Sequence, residues 1–378
     1  MSIASLKSSH WRSLPADPLA PRDLPITAWT GHELLAVGGQ RVADGAAFTG
    51  ADAYDPQTGR WELLPSFPLA ARDSPASAWT GYGLVVWGGS IAQGSGSGLS
   101  QTLGDGAILD PAHRVWRVLP AGPLPPLTGS VAVTDGADNV IILGGVLVTA
   151  SAGNTPVSRR VASYDPARRT WRSLPDLPVA TSHELLGVKA VLWGSRVLVA
   201  ETWQQVVHTA PGETSGTGGV DLFLLDPRSG GGAGHWSRFP VPSSTALIGA
   251  DVRALGSELV VAGGTMCPPF AACPYSLNTA FGLLDAQGNA RAGIFGPPIK
   301  LAAETVVGDS YVVMTGSQIT GPGRDEQPGD AAAFNLASGE WVTLPSARRF
   351  KPEPQALTWT GRELIALSSN GSIALGPN

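Results

Sequence analysis

The chain is short of charge, of cysteine and of long apolar runs, and each shortage removes a class of protein. Asp, Glu, Lys and Arg make up only 15% of the 378 residues, with a net charge of −5 and no extended Lys/Arg run. A surface that tracks a phosphate backbone needs a basic stripe, so nucleic acid is not an expected partner. Two cysteines, Cys267 and Cys273, are too few for a disulfide scaffold, and without partnered His or Cys nearby they leave a tetrahedral zinc site incomplete. No run of about 18 apolar residues occurs, which leaves out a membrane-spanning helix. Met1 to His10 lacks the apolar core of a secretory leader, so export would require a leader or anchor that this sequence does not carry.

What the chain has in quantity is turn-forming and apolar residues: 48 Gly, 32 Pro and 43% hydrophobic, with 12 Trp. That composition describes a turn-rich, well-buried chain of short strands. Length alone allows two or three domains, but no linker interrupts the pattern, and a single domain over 1–378 is expected.

An internal repeat dominates. AWTGHELLAVGG (Ala28 to Gly39) returns as AWTGYGLVVWGG (Ala78 to Gly89), and a worn copy, TWTGRELIAL, spans Thr358 to Leu367. A second element follows each copy: AYDPQTGRWELLP (Ala53 to Pro65), ILDPAHRVWRVLP (Ile108 to Pro120) and SYDPARRTWRSLP (Ser163 to Pro175), with looser forms at Leu225 to Phe239, Leu284 to Ile294 and Phe334 to Pro345. Trp11, Trp61, Trp116, Trp171, Trp236 and Trp341 share one phase, and Arg291 stands near the Trp missing from one degenerate copy. Six units are complete. The seventh is split: Gln355 to Leu375 supplies three strands and HWRSLP (His10 to Pro15) the fourth. The expected units are 24–65, 75–120, 128–175, 183–240, 247–295, 299–345 and 355–378 with 9–15.

Each repeated residue has a mechanical use. ITAWT and ASAWT read as inner strands, Thr-Gly as a turn, and ELLAVGG as a buried second strand whose glycines allow close backbone packing. Asp-Pro-x-Thr-Gly builds a tight hairpin, and the Trp that follows is large enough to fill a wedge between neighbouring sheets.

The Gly-Gly pair, the Tyr-Asp-Pro, the Trp about six residues later and the following Leu-Pro resemble the kelch family over essentially the whole chain. The resemblance implies an all-β, seven-bladed β-propeller of four-stranded blades, the last closed by the N-terminal strand. It does not specify function, because propellers of this type include oxidases, epimerases, specifier proteins and protein-binding adaptors. It further implies that the loops between second and third strands share a face with the loops joining successive blades. In this chain the former are long and variable, as at Gln40 to Gly50 and Ala200 to Gly219, which is where recognition usually sits.

The blade-joining loops repeat LAPRD (Leu19 to Asp23) and LAARD (Leu69 to Asp73), with Lys300, Arg349 and Lys351 near corresponding places. In kelch adaptors that recruit acidic peptides, arginines of this loop point into the channel mouth, and Arg22 and Arg72 match that position. A guanidinium there suits bidentate capture of a carboxylate; alternatively, Arg22 with Asp23 and Arg72 with Asp73 brace adjacent blades. Trp203, Phe270 and Tyr275 fall in expected long loops and read either as a sugar or peptide platform or as loop caps.

The residue inventory does not favour a metal enzyme. A galactose oxidase-type copper site needs two Tyr, two His and a crosslinked Cys, and of five tyrosines only Tyr275 is well placed, with His183 and His208 the remaining histidines. The iron-dependent specifier pattern is absent, and Asp325, Glu326 and Asp330 read as a solvated loop more readily than as a calcium site. No cofactor and no metal is expected. A metal-independent epimerase or lyase stays open, with His183 and Glu184 the nearest acid/base pair, although neighbours on a strand point to opposite sides. CPPFAAC favours a Cys267–Cys273 disulfide and hence an extracytoplasmic setting, against two free thiols in the cytosol. The expectation is a monomeric, non-enzymatic recognition propeller that takes an acidic peptide, an acidic protein or a glycan through Arg22, Arg72, His183, Trp203, Phe270, Tyr275, Lys300, Arg349 and Lys351.

Overall fold

The computed structural model describes residues 7–92, 100–147, 157–210, 213–240, 251–262, 280–295, 299–307, 310–318, 327–347, 356–369 and 371–376. Seven four-stranded antiparallel sheets result. The first runs Ile26–Trp29, Leu34–Val37, Ala51–Asp55 and Arg60–Leu64; the second Ala76–Thr80, Gly83–Trp87, Gly106–Asp110 and Val115–Val118. The third is Thr128–Thr134, Val140–Val146, Val161–Asp165 and Thr170–Leu174, and the fourth Glu184–Trp193, Arg196–Ala210, Glu213–Asp226 and His235–Phe239. The fifth comprises Asp251–Leu255, Glu258–Ala262, Ala280–Leu284 and Ala290–Phe295, and the sixth Ile299–Val307, Tyr311–Gln318, Gln327–Asn335 and Glu340–Thr343. The seventh joins the two ends of the chain: Ala356–Trp359, Leu364–Leu367 and Ile373–Gly376 take His10–Ser13 as fourth strand, with His10 opposite Gly376 and Ser13 opposite Ile373. The fold is a seven-bladed β-propeller with its last blade closed by the N-terminal strand, as the repeat implies.

The chain divides into two compact units. Residues 1–72, 277–279 and 294–378 form one, which holds the sixth, seventh and first sheets; residues 73–276 and 280–293 form the other. Within each, the first strands of successive sheets lie against one another. The second strands of the first two sheets are apolar because both faces are covered: Leu34, Leu35, Ala36 and Val37 are all buried, as are Leu84, Val85, Val86 and Trp87. In the first unit the core joins Leu14, Leu34, Ala36 and Tyr54 to Ile365, Leu367 and Ala374, so the closing segment is part of the packing as well as of the sheet. In the second, Ile141, Leu143 and Val161 of the third sheet meet Leu185, Val197 and Val199 of the fourth.

The turns follow from their residues. Thr30 Oγ1 accepts from the amides of His32 (3.2 Å) and Glu33 (3.0 Å) and donates to the Glu33 carbonyl, and Thr360 repeats the pattern with Arg362 and Glu363. The paired glycines are required by close approach: a Cβ on Gly39 would sit 2.5 Å from the Asp23 carbonyl oxygen. No helix among the described residues is long and apolar enough to cross a membrane.

Candidate ligand site

The connection from His10–Ser13 into the first sheet, residues 14–25, shares a pocket with Ser368, Ser369, Gly371 and Ser372, which lie between the second and third strands of the seventh sheet. The loop between those strands, 368–372, has five residues where its counterpart in the first sheet, 38–50, has thirteen. The pocket measures about 460 Å³ and is lined by Ser13, Asp17, Arg22, Ser368, Ser369 and Ser372, with Leu14, Leu19, Pro15, Pro21 and Pro25. Its size is that of a small-ligand site.

Asp17 is fixed from two sides. Its Oδ1 accepts the Leu19 amide at 2.7 Å, and its Oδ2 lies 3.2 Å from Arg22 Nη2. Arg22 is only 5% exposed, forms a second ion pair with Asp52, and holds its guanidinium carbon 5.6 Å from the centre of the Phe48 ring. Arg22 Nη1 and Asp52 Oδ2 are buried and have no hydrogen-bond partner among the described residues. Burial pushes the Asp52 carboxyl up to about 8, with the neighbouring Asp17 carboxyl acting the same way and the Arg22 charge opposing. Asp17 and Asp52 together engage Arg22, so its charge is balanced within the protein.

Both arginines marked by the sequence are turned inward. Arg72 is 6% exposed, donates from Nε to the Ala70 carbonyl at 3.0 Å and lies over Phe67 at 4.8 Å. In the third copy of the repeat Leu127 occupies this phase and is also buried. Asp17 and Asp52 are the residues that the sequence analysis missed. A signal for Asp52 existed: Ala107, Ala162 and Ala332 hold its phase in other copies, all of them buried, so a carboxylate there departs from an apolar pattern.

In the second unit, His183 and Trp203 come together, their rings stacked at 3.6 Å and 9°. His183 Nδ1 and Trp203 Nε1 are buried without a partner among the described residues. Glu184 instead accepts from Gln204 Nε2 at 2.6 Å, so successive residues of one strand carry the partners of His183 and Glu184 to opposite faces. Beneath Trp203 on the same face, Glu201 is 1% exposed and pushed up to about 8 by burial, with Asp221 adding repulsion and Arg159 opposing. Lys300 pairs with Ser317 in the sixth sheet, its side chain outside the described residues. Phe270, Tyr275, Arg349, Lys351, Asp325, Glu326, Cys267 and Cys273 lie outside the described residues altogether, as do the side chains of His208 and Asp330.

No family model matches the chain. A curated relative, the kelch-like protein terF of Aspergillus terreus, is 33% identical over 86 residues, covering 22% of this chain and 19% of the relative, so the match spans about a fifth of that protein's length. Two solved structures are similar in fold: that of YjhT, with TM-score 0.58 and 17% identity over 88% of this chain and 99% of that one, and a fungal alcohol oxidase of the AA5 family in complex with copper, with TM-score 0.63 and 14% identity over 98% and 76%. At such identities the likeness carries the fold, a seven-bladed β-propeller, and the repeat resembles that of the kelch family.

Proposed function

We propose that the chain is a recognition module that binds a neutral glycan, without catalysis, in the pocket beside Asp17 and Arg22. The observation that carries this reading is Asp17, a carboxylate oriented by the Leu19 amide and by Arg22 in a pocket whose lining also includes four serines and three prolines. Sugar hydroxyls both donate and accept; a fixed carboxylate in a serine-lined pocket matches them, and the proline and leucine residues suit the apolar face of a pyranose. The balance of charge favours a neutral glycan over an acidic peptide, since Arg22 is already taken by Asp17 and Asp52. Binding without catalysis is supported by the placement of Asp52: it is the acid here with a shifted pKa, yet it is fully buried behind Arg22 and does not line the pocket. A kelch-type propeller fits a binding or carbohydrate-related role.

The test is a glycan array and a panel of acidic peptides probed with wild type and Asp17→Ala. Neutral glycans retained by wild type and lost by the variant support the reading. Retention of acidic peptides only, or equal retention of glycans by both proteins, overturns it.

A further inference from the structure

Beyond that pocket, the first unit holds a second cavity beside its Thr-Gly turns. It measures about 680 Å³ and is lined by Arg12, Trp29, His32, Gln57, Arg362 and Glu363 together with turn backbone. Its side chains come from three segments: the closing strand gives Arg12, the first sheet's turn His32, and the corresponding turn of the seventh sheet Arg362 and Glu363. One carboxylate faces two guanidiniums and an imidazole. Glu363, 5% exposed, is ion-paired with Arg12, which leaves Arg362 with no ion pair among the described residues. Asp55, close enough to feel the charge of His32, is engaged in its own hairpin, accepting the Gln57 amide at 2.8 Å and the Thr58 hydroxyl at 2.9 Å. The walls are rigid: Thr30 and Thr360 each close their turn with hydrogen bonds to the backbone, and Arg12 is anchored by Glu363.

We infer that this cavity is an anion site, taking a phosphate or carboxylate group on Arg362 and His32, with Arg12 as a fixed second cation and Trp29 alongside the body of the ligand. A guanidinium in a concave, partly apolar setting binds an oxyanion more strongly than one on a flat, fully hydrated surface, because its field is less screened and its two-pronged donor geometry matches the anion. The surplus cation therefore lies at the short-turn side of the first and seventh sheets, whereas Arg22, in the long-loop connection, is neutralised internally.

The experiment is isothermal titration of the full chain with inorganic phosphate and, separately, with succinate, at ionic strength held constant with chloride. Wild type should bind at least one of them, and phosphate alone or both will separate a phosphate site from a general oxyanion site. Arg362→Gln, a change at an exposed position, should weaken binding about fivefold or more, and His32→Gln should weaken it less. Arg168→Gln, on an exposed hairpin of the other unit where Arg168 pairs with Asp165, should leave it unchanged. No binding of either anion, equal affinity in wild type and Arg362→Gln, or an equal loss in Arg168→Gln overturns the inference.

Discussion

The indole Nε1 of Trp11 donates a 2.7 Å hydrogen bond to the carbonyl oxygen of Pro345, 334 positions away in the chain. The same bond recurs as Trp61 to Pro15 (3.1 Å), Trp171 to Pro120 (2.8 Å) and Trp236 to Pro175 (3.0 Å). The repeated Trp and the repeated Leu-Pro are thus two halves of one contact between consecutive blades, and the Trp11 copy is the one made by the closing strand. Trp11 is 3% exposed, and the Nε1 of Trp61 lies in an exposed bond. Trp11→Phe should therefore cost roughly 2 to 3 kcal/mol, from the lost bond, the orphaned carbonyl and the cavity, and Trp61→Phe about 1 kcal/mol. Urea unfolding of the two variants checks the ranking. Removal of residues 7–15 also strips Leu14 and exposes the edge Ile373–Gly376, and should lower the melting temperature more than either substitution.

The Arg22–Asp52 pair predicts strong non-additivity. Asp52→Ala alone leaves a buried guanidinium with only the partly exposed Asp17, and should cost about 3 kcal/mol or more. Arg22→Leu with Asp52→Ala copies what other repeats do at these phases, Leu127 and Ala162, and should lie within about 1 kcal/mol of wild type. A double-mutant cycle measured by denaturant unfolding decides. If the double variant is as unstable as the sum of the singles, the pair is not an interchangeable insertion into an apolar pattern.

The fold was legible because each repeated residue marks a mechanical place: Thr at the turn, Gly-Gly at the close approach, Trp at the contact between blades. Most of the candidate site was not. LAPRD and LAARD drew attention to Arg22 and Arg72, but an arginine in a connecting segment reads as solvent-facing, and only the buried Leu127 of the third copy shows that this phase points inward. Asp52 lies thirty residues from Arg22, and its significance emerges from the alanines it replaces. The pocket brings together residues 13–25 and 367–373 from the two ends of the chain, a pairing that carries no motif.

Glu201 makes stability depend on pH with a defined sign. In the folded chain its carboxyl titrates near 8, against an ordinary value of 4.5, because burial disfavours the charge and Asp221 repels it. Between those values the folded state keeps a proton that the unfolded chain releases, so this contribution is present below about 4.5 and is lost as pH rises to about 8. Asp52, raised for the same first reason, acts in the same direction. Glu201→Gln should melt higher than wild type at pH 8 and show a flatter decline between pH 5 and 8. Thermal unfolding across that range checks it, and identical slopes in the two proteins would remove Glu201 as the cause.

The Asp-Pro hairpin needs a left-handed residue just before the strand that carries the Trp. Gly59 (φ 66°) and Gly339 (φ 70°) fill the place in two copies, and Arg114 (φ 53°) and Arg169 (φ 57°) accept the strain in two others. A Cβ added at Gly59 would meet nothing within 4 Å, so a substitution there acts through the backbone alone. Gly59→Val should destabilise by about 1 to 2 kcal/mol, since a β-branched residue is worst suited to this region. Gly59→Asn should cost only a fraction of that, because asparagine visits the left-handed region readily. Both variants should keep the hairpin's other holds, the Asp55 bonds to Gln57 and Thr58. Chemical unfolding of the pair checks the order, and equal losses for Val and Asn would mean that side-chain bulk, not the dihedral angle, sets the cost.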